Sequence, residues 1–188
     1  MAQRLELVLP AGDFARAKIA LLYGADSIYL GLDKYSLRKT EVRFTLAELK
    51  KTIDYAHGLK KKVYLTFNIF AHNEQLFEIE ADLKKVAKLR PDALIISDPG
   101  IISIAKRVAT DIPIHLSTQA NTLNIESVKF WKSQGIKRIV MARELSLSEI
   151  TAIHRAVPEM ELEIFGHGAM CISYSGRCLL SNYLTGRE

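Results

Sequence analysis

The chain has only two cysteines and one tryptophan in 188 residues. Two thiols cannot build the disulfide framework of a small secreted domain. No apolar run approaches the roughly 18 residues that a membrane span needs. The N-terminal "MAQRLELVLPAG" lacks the charged, apolar and small-residue regions of a signal peptide. A cytoplasmic protein with no membrane attachment is expected. In that compartment two close cysteines point to metal ligation or redox chemistry before a structural disulfide. The first strand–helix turn, "PAGDFA", carries no G-x-G-x-x-G, and no Walker motif appears. H-E-x-x-H and G-x-S-x-G are also missing, and Ser, His and Asp form no group by spacing.

What is present is ordinary in amount. The hydrophobic fraction is 48% and the charged fraction 25%, the balance of a globular domain. The length suits about one domain with a sizeable core. A formal charge of +5 is compatible with a polyanionic partner without requiring one. The densest positive stretches are "LKKK" at 59–62 and "DLKKVAKLR" at 82–90. They read either as solvated helix ends, where lysines favour the dipole, or as a phosphate-backbone track. No aromatic interleaving accompanies them.

The pattern along the chain is a regular alternation. "LELVLPAG", "SIYLG", "KVYLTFNIF", "ALIISD", "PIHLSTQAN", "RIVMA" and "ELEIFGHGA" read as strands. The helical segments between them carry N-caps, including Asp13 and a Thr45–Glu48 capping box. Alternating strands and helices imply a parallel sheet covered by helices. The strands are continuous apolar runs, as burial on both faces requires. Polar residues follow nearly every strand: Asp13, Tyr29 with Gly31, Asn68, Asp98, Gln119 with Asn121, Arg143 with Glu144, and His167. A TIM-barrel-like α/β domain gathers all of these at one mouth. The expected barrel is incomplete, with about seven parallel strands, whereas full barrels take about 250 residues. Residues 1–188 are expected to form one barrel-like domain, truncated before a further C-terminal region. Its open edges would invite a homodimer.

Both cysteines, Cys171 and Cys178, lie in "EIFGHGAMCISYSGRCLLS" at 163–181, with six residues between them. This stretch resembles the signature of the collagenase-like peptidase family, peptidase family U thirty-two. The resemblance falls on Glu163, Phe165, Gly168, Ala169, Cys171, Ser173, Ser175, Gly176, Cys178 and Ser181. "LVLPAGDFARAKIALLYGADSIYLG", "ISDPGII", "LSTQAN" and "VMARELSLSEI" resemble the family too. The resemblance implies a barrel-like N-terminal domain. It implies either proteolysis of unknown mechanism or hydroxylation of tRNA, rRNA or ubiquinone precursors. The hydroxylating members are associated with an iron–sulfur cluster on four cysteines. Cys171 and Cys178 would be two of these ligands, and the other two would lie beyond residue 188. A [4Fe–4S] cluster is therefore expected in the full-length protein and not in this length of chain, since two thiolates are too few.

Other readings stand beside that one. Zinc could take His167, Cys171 and Cys178, and two plain buried thiols are the bland alternative. Glu163, read as lying on the last strand in step with Phe165 and His167, is a candidate general base or else the partner of a neighbouring cation. His167 is a candidate acid or base, or a structural histidine. Asn68, Gln119, Asn121 and Arg143 are candidate substrate-binding groups, Arg143 suiting a small carboxylate or a phosphate. Arg143 could equally pair with Glu144. His57, His72, His115 and His154 read as structural or solvated groups on helices or loop edges. Three functions stay open: RNA modification by hydroxylation, a peptidase, and a barrel that binds a small acid without chemistry of its own.

Overall fold

The computed structural model describes residues 5–32, 35, 44–168, 173–176 and 183. Among these, seven strands alternate with six α-helices. The order is β1 (Val8–Pro10), α1 (Phe14–Leu22), β2 (Ser27–Gly31), α2 (Leu46–Gly58), β3 (Lys62–Phe67), α3 (Leu76–Ala87) and β4 (Ala93–Ile96). It continues through α4 (Pro99–Val108), β5 (Ile114–Leu116), α5 (Ile125–Ser133), β6 (Arg138–Val140), α6 (Leu147–Ala156) and β7 (Glu161–Glu163). All neighbouring strands are parallel, and their spatial order is their chain order, β1 to β7. A doubly wound sheet would reverse its order at a switch point. A sequential order with a helix after each strand is that of a barrel wall.

The helices start where the sequence supplies caps. Asp13, Thr45, Asp98, Asn124 and Ser146 each accept a backbone N–H of the first turn with their side chains. Thr45 and Ser146 are joined by Glu48 and Glu149 in capping boxes. Asp98 is thus spent on opening α4, with Pro99 at the first helical position where its missing N–H costs nothing.

Packing follows the two-residue period of the strands. Val63, Leu65 and Phe67 of β3 join the large core between strands and helices. Tyr64 turns the other way and packs with Ala93, Ile95, Val8 and Tyr29 in a small cluster inside the wall. The sheet stays open between β1 and β7. It is nonetheless curled, because Glu6, two residues before β1, reaches Arg138 of β6 at 2.6 Å. Both free edges are apolar: Leu5 and Leu7 are exposed beside β1, as are Ile164 and Phe165 beyond β7.

Two expectations need correction. The last strand is three residues long, not nine. It pairs with β6 only, and Gly168 just beyond it takes φ 140°, a conformation foreign to a strand. Phe165 and His167 therefore lie past the strand and are exposed, out of step with Glu163. His115 sits on β5, not at a loop edge, and is buried.

Candidate functional site at the barrel mouth

The residues expected at the mouth do share one rim. Asn68 follows β3, Asp98 follows β4, Gln119 and Asn121 follow β5, Arg143 follows β6, and His167 follows β7. The loop after β5 is a single 3-10 turn, Thr118–Ala120, closed by Asn121 in the left-handed region at φ 53°. Asparagine tolerates that region better than most residues. The turn is pinned to its neighbours. Ser97, after β4, lies 3.2 Å from the Gln119 Oε1 and 3.3 Å from the Asn68 carbonyl. The Ser117 hydroxyl also donates to Gln119. The Thr118 hydroxyl donates to the Met141 carbonyl at 3.2 Å, tying the β5 loop to β6.

The next loop carries a clamp that spacing did not reveal. The Arg143 guanidinium donates to the Ser173 carbonyl at 2.6 Å. Glu144 accepts the Ser175 N–H at 2.6 Å and its hydroxyl at 2.8 Å. Burial opposes the Glu144 charge, but the two donations from Ser175 outweigh it and hold the carboxyl below its usual range. Ser175 is fully buried and left-handed, φ 43°. Adjacent residues thus grip opposite ends of the segment 173–175, rather than pairing with each other. That segment lies between Cys171 and Cys178, whose own positions fall outside the described residues. Near this clamp, three buried polar atoms have no hydrogen-bond partner: Asn121 Oδ1, Thr122 Oγ1 and Arg143 Nε.

The opposite end of the barrel interior is charged and interlocked. Arg138 on β6 is about nine-tenths buried and meets three carboxylates: Glu6 at 2.6 Å, Glu161 at 2.9 Å and Glu163 at 3.3 Å. The Tyr64 hydroxyl donates to Glu6, and the guanidinium lies over the Tyr64 ring, 5.4 Å from its centroid. His115 meets the same ring edge-on at 4.7 Å. Burial alone would raise the Glu6 carboxyl, yet hydrogen bonds from Arg138 and Tyr64 bring it down to about 2. Glu163 differs. Burial raises its carboxyl, and the single contact from Arg138, which also serves two other glutamates, does not reverse that. Burial and the nearby guanidinium push His115 down to about 3, so it stays neutral.

Spacing missed Glu6, Tyr64, Glu161 and Arg138. A signal existed in "LELVL", "RIVMA" and "ELEIF". An unpaired charge inside a strand buried on both faces is costly, so charges on three such strands imply mutual partners. His167 is exposed and hydrogen-bonds to none of the described residues. Among the described residues, no group of three His, Cys, Asp or Glu is arranged to hold a metal ion. No described helix is long and apolar enough to cross a membrane.

The model of Peptidase family U32 matches residues 12–188. The chain belongs to this family. It is 51% identical over 185 residues to the tRNA hydroxylation protein P of Helicobacter pylori strain J99, covering 98% of this chain and 44% of that protein. It is 36% identical over 190 residues to a 23S rRNA 5-hydroxycytidine synthase of Escherichia coli, covering 100% of this chain and 28% of that enzyme. This U32 chain therefore spans less than half the length of these curated relatives. Among solved structures, the U32 peptidase Mk0906 superposes with a TM-score of 0.72 at 15% identity, over 87% of this chain and 69% of that one. That likeness bears on the fold alone, and it agrees with the barrel wall described above.

Proposed function

We propose that this chain is the barrel of an RNA-hydroxylating protein, with tRNA as its first-choice substrate. The observation that carries this reading is the 51% identity, over nearly all of the chain, to a protein named for tRNA hydroxylation. The rRNA-modifying relative is more distant but shares the chemistry its name states, an added hydroxyl on an RNA base. The peptidase reading rests on the family's name, and its candidate nucleophile, Cys171, lies outside the described residues.

Within this reading the mouth receives the substrate. Asn68, Gln119, Asn121 and Arg143 are its proposed binding groups. Asn121 and Arg143 are the two with a buried polar atom still unpaired. His167, exposed beyond β7, and Glu163, which ends β7 with its carboxyl on Arg138, are the proposed proton-handling groups. A carboxyl that burial raises gives up and retakes a proton more readily near neutrality than an exposed one.

Hydroxylation of a base is an oxidation, and a thiolate-held [4Fe–4S] cluster would supply one-electron chemistry when bound. Cys171 and Cys178 would contribute two of its four thiolates. The donor type fits, but the number needs two further cysteines from elsewhere. The role of Arg143 and Glu144 is then to hold the segment between the two thiols over the mouth.

The test is nucleoside mass spectrometry of tRNA and rRNA from cells lacking the protein. A nucleoside carrying one extra oxygen should disappear from tRNA and return on complementation. Unchanged tRNA and rRNA, together with collagen hydrolysis by the purified protein, would reverse the reading in favour of a peptidase.

A further inference from the structure

Four of the helix-to-strand turns end the same way. In each, one left-handed residue donates its N–H to the carbonyl three residues back: Gly24 to Leu21, Lys60 to His57, Arg90 to Ala87, and Gly135 to Lys132. Glycine is the residue suited to this position, because a left-handed backbone costs any residue with a Cβ. The turns after α1 and α5 use it. The turns after α2 and α3 instead hold Lys60 at φ 57° and Arg90 at φ 56°. These two turns lead into β3 and β4, which are paired neighbours, so the two cations sit side by side on the rim opposite the mouth.

The surroundings add charge. Lys62 opens β3, Lys88 caps α3, and Lys106 lies in the last turn of α4, all exposed. Lys84, Lys88 and Arg90 line an open groove with Ala87 and Val108. The acids that could neutralise this rim are mostly engaged. Asp92 accepts the Val63 N–H at 2.8 Å and faces His57 at 2.9 Å. Asp26 accepts the Leu7 N–H and pairs with Lys61. Glu80 takes both Lys84 and Arg107. Asp111 is the one exposed acid at the border. Lys60, Lys62, Lys88, Arg90 and Lys106 have no acidic partner among the described residues. Complementing the helix dipoles would explain Lys106 and Lys88, but not cations placed in left-handed turns where glycine is favoured.

We propose that this amino-end rim, centred on Lys60, Lys88, Arg90 and Lys106, is a second contact surface that holds the phosphate backbone of the RNA. It rests on the RNA reading given above. The strands are at most six residues long, so the two rims are separated by about 20 Å at about 3.3 Å per residue. A folded RNA can span that distance along α3. No aromatic side chain joins the patch, so it positions the RNA without reading its bases.

The experiment measures the affinity of the intact protein for purified tRNA as a function of salt. Lys60→Gly with Arg90→Gly is the decisive variant, because glycine suits both turns and the melting temperature should hold or rise. Adding Lys88→Ala and Lys106→Ala completes the set. Each lost phosphate contact should flatten the log–log salt slope by about 0.7–0.9. The fourfold variant is expected to flatten it by about 3 and to bind at least tenfold more weakly. Lys129→Ala on α5, an exposed lysine already paired with Glu126, should leave the slope unchanged. An unaltered slope in the fourfold variant would overturn this surface while leaving RNA hydroxylation standing. No tRNA binding by the unaltered protein would overturn both. Loss of binding to phosphatidylserine vesicles, with tRNA binding intact, would reassign the rim to a membrane surface.

Discussion

The two ends of the barrel interior are built from similar residues and do opposite things. At the amino end, Arg138 meets Glu6, Glu161 and Glu163, with Tyr64 and His115 packed alongside. At the mouth, Arg143 meets one carbonyl, and its Nε, Asn121 Oδ1 and Thr122 Oγ1 stay unpaired though buried. A guanidinium shared among three carboxylates has no capacity left for a ligand. It closes the gap between β1 and β6 in place of a missing ladder. Unpaired buried atoms occur at both ends, Ser27 Oγ and His115 Nδ1 among them, but those at the mouth adjoin the segment between the cysteines. Arg138 and its carboxylates hold the barrel wall; beyond the strands, Asn121 and Arg143 each keep one unpaired buried atom.

The largest effect should come from breaking the amino end. Arg138→Met strands two or three carboxylates in a buried site, and denaturant unfolding should show a loss of about 3–5 kcal/mol.

The pH dependence of stability sharpens the same contrast. His115 falls from an ordinary 6.5 to about 3 in the fold, so the unfolded chain takes up its proton first. Its contribution is complete above about 6.5 and is lost as the pH falls towards 3, on the order of 5 kcal/mol in total. Glu6, held at about 2, adds a second loss as the pH falls from 4.5 to 2. Glu163, with its carboxyl raised, has the opposite sign: it stabilises at low pH and loses that contribution as the pH rises through its folded value. His115→Phe should flatten the decline between pH 6.5 and 4, leaving the Glu6 portion. An unchanged profile would mean that His115 is charged or exposed.

At the mouth the expected effect is smaller and local. Glu144→Ala removes two hydrogen bonds to Ser175, worth about 1–2 kcal/mol. Hydrogen exchange should speed up at residues 173–176 with the strand amides unchanged. Acceleration spread over the whole barrel would mean that the clamp belongs to the global fold. The exposed Lys50–Asp54 pair on α2 sets the scale of indifference, with Lys50→Ala costing below about 0.5 kcal/mol.

Local patterns made one of these ends legible. The strand–helix alternation and the N-caps are short-range, and they were enough to foresee a seven-stranded barrel wall and to place Asn68, Gln119, Asn121 and Arg143 on one rim. The amino end was not legible, because its decisive contact joins residues 132 positions apart. Sequence spacing cannot show that Glu6 and Arg138 meet unless the curl of the sheet is already known. The clamp was hidden for a similar reason. Arg143 and Glu144 look like partners of each other, but consecutive residues point apart, and each takes a different residue of 173–175. Overextending β7 came from counting Phe165 and His167 as strand, although no further strand among the described residues pairs with that edge and Gly168 takes a positive φ.

The central claim, that the mouth groups Asn121 and Arg143 serve the RNA chemistry while the buried packing of Tyr64, His115 and Arg138 inside the wall holds the barrel, can be tested with one measurement. The level of the hydroxylated tRNA nucleoside, per amount of folded protein, would be compared in cells carrying Asn121→Gly with Arg143→Ala and in cells carrying His115→Phe. The account predicts that the mouth variant loses most of the nucleoside with an unchanged melting temperature, and that the amino-end variant keeps it. Full hydroxylation by the mouth variant, or its loss in folded His115→Phe protein, would contradict the account.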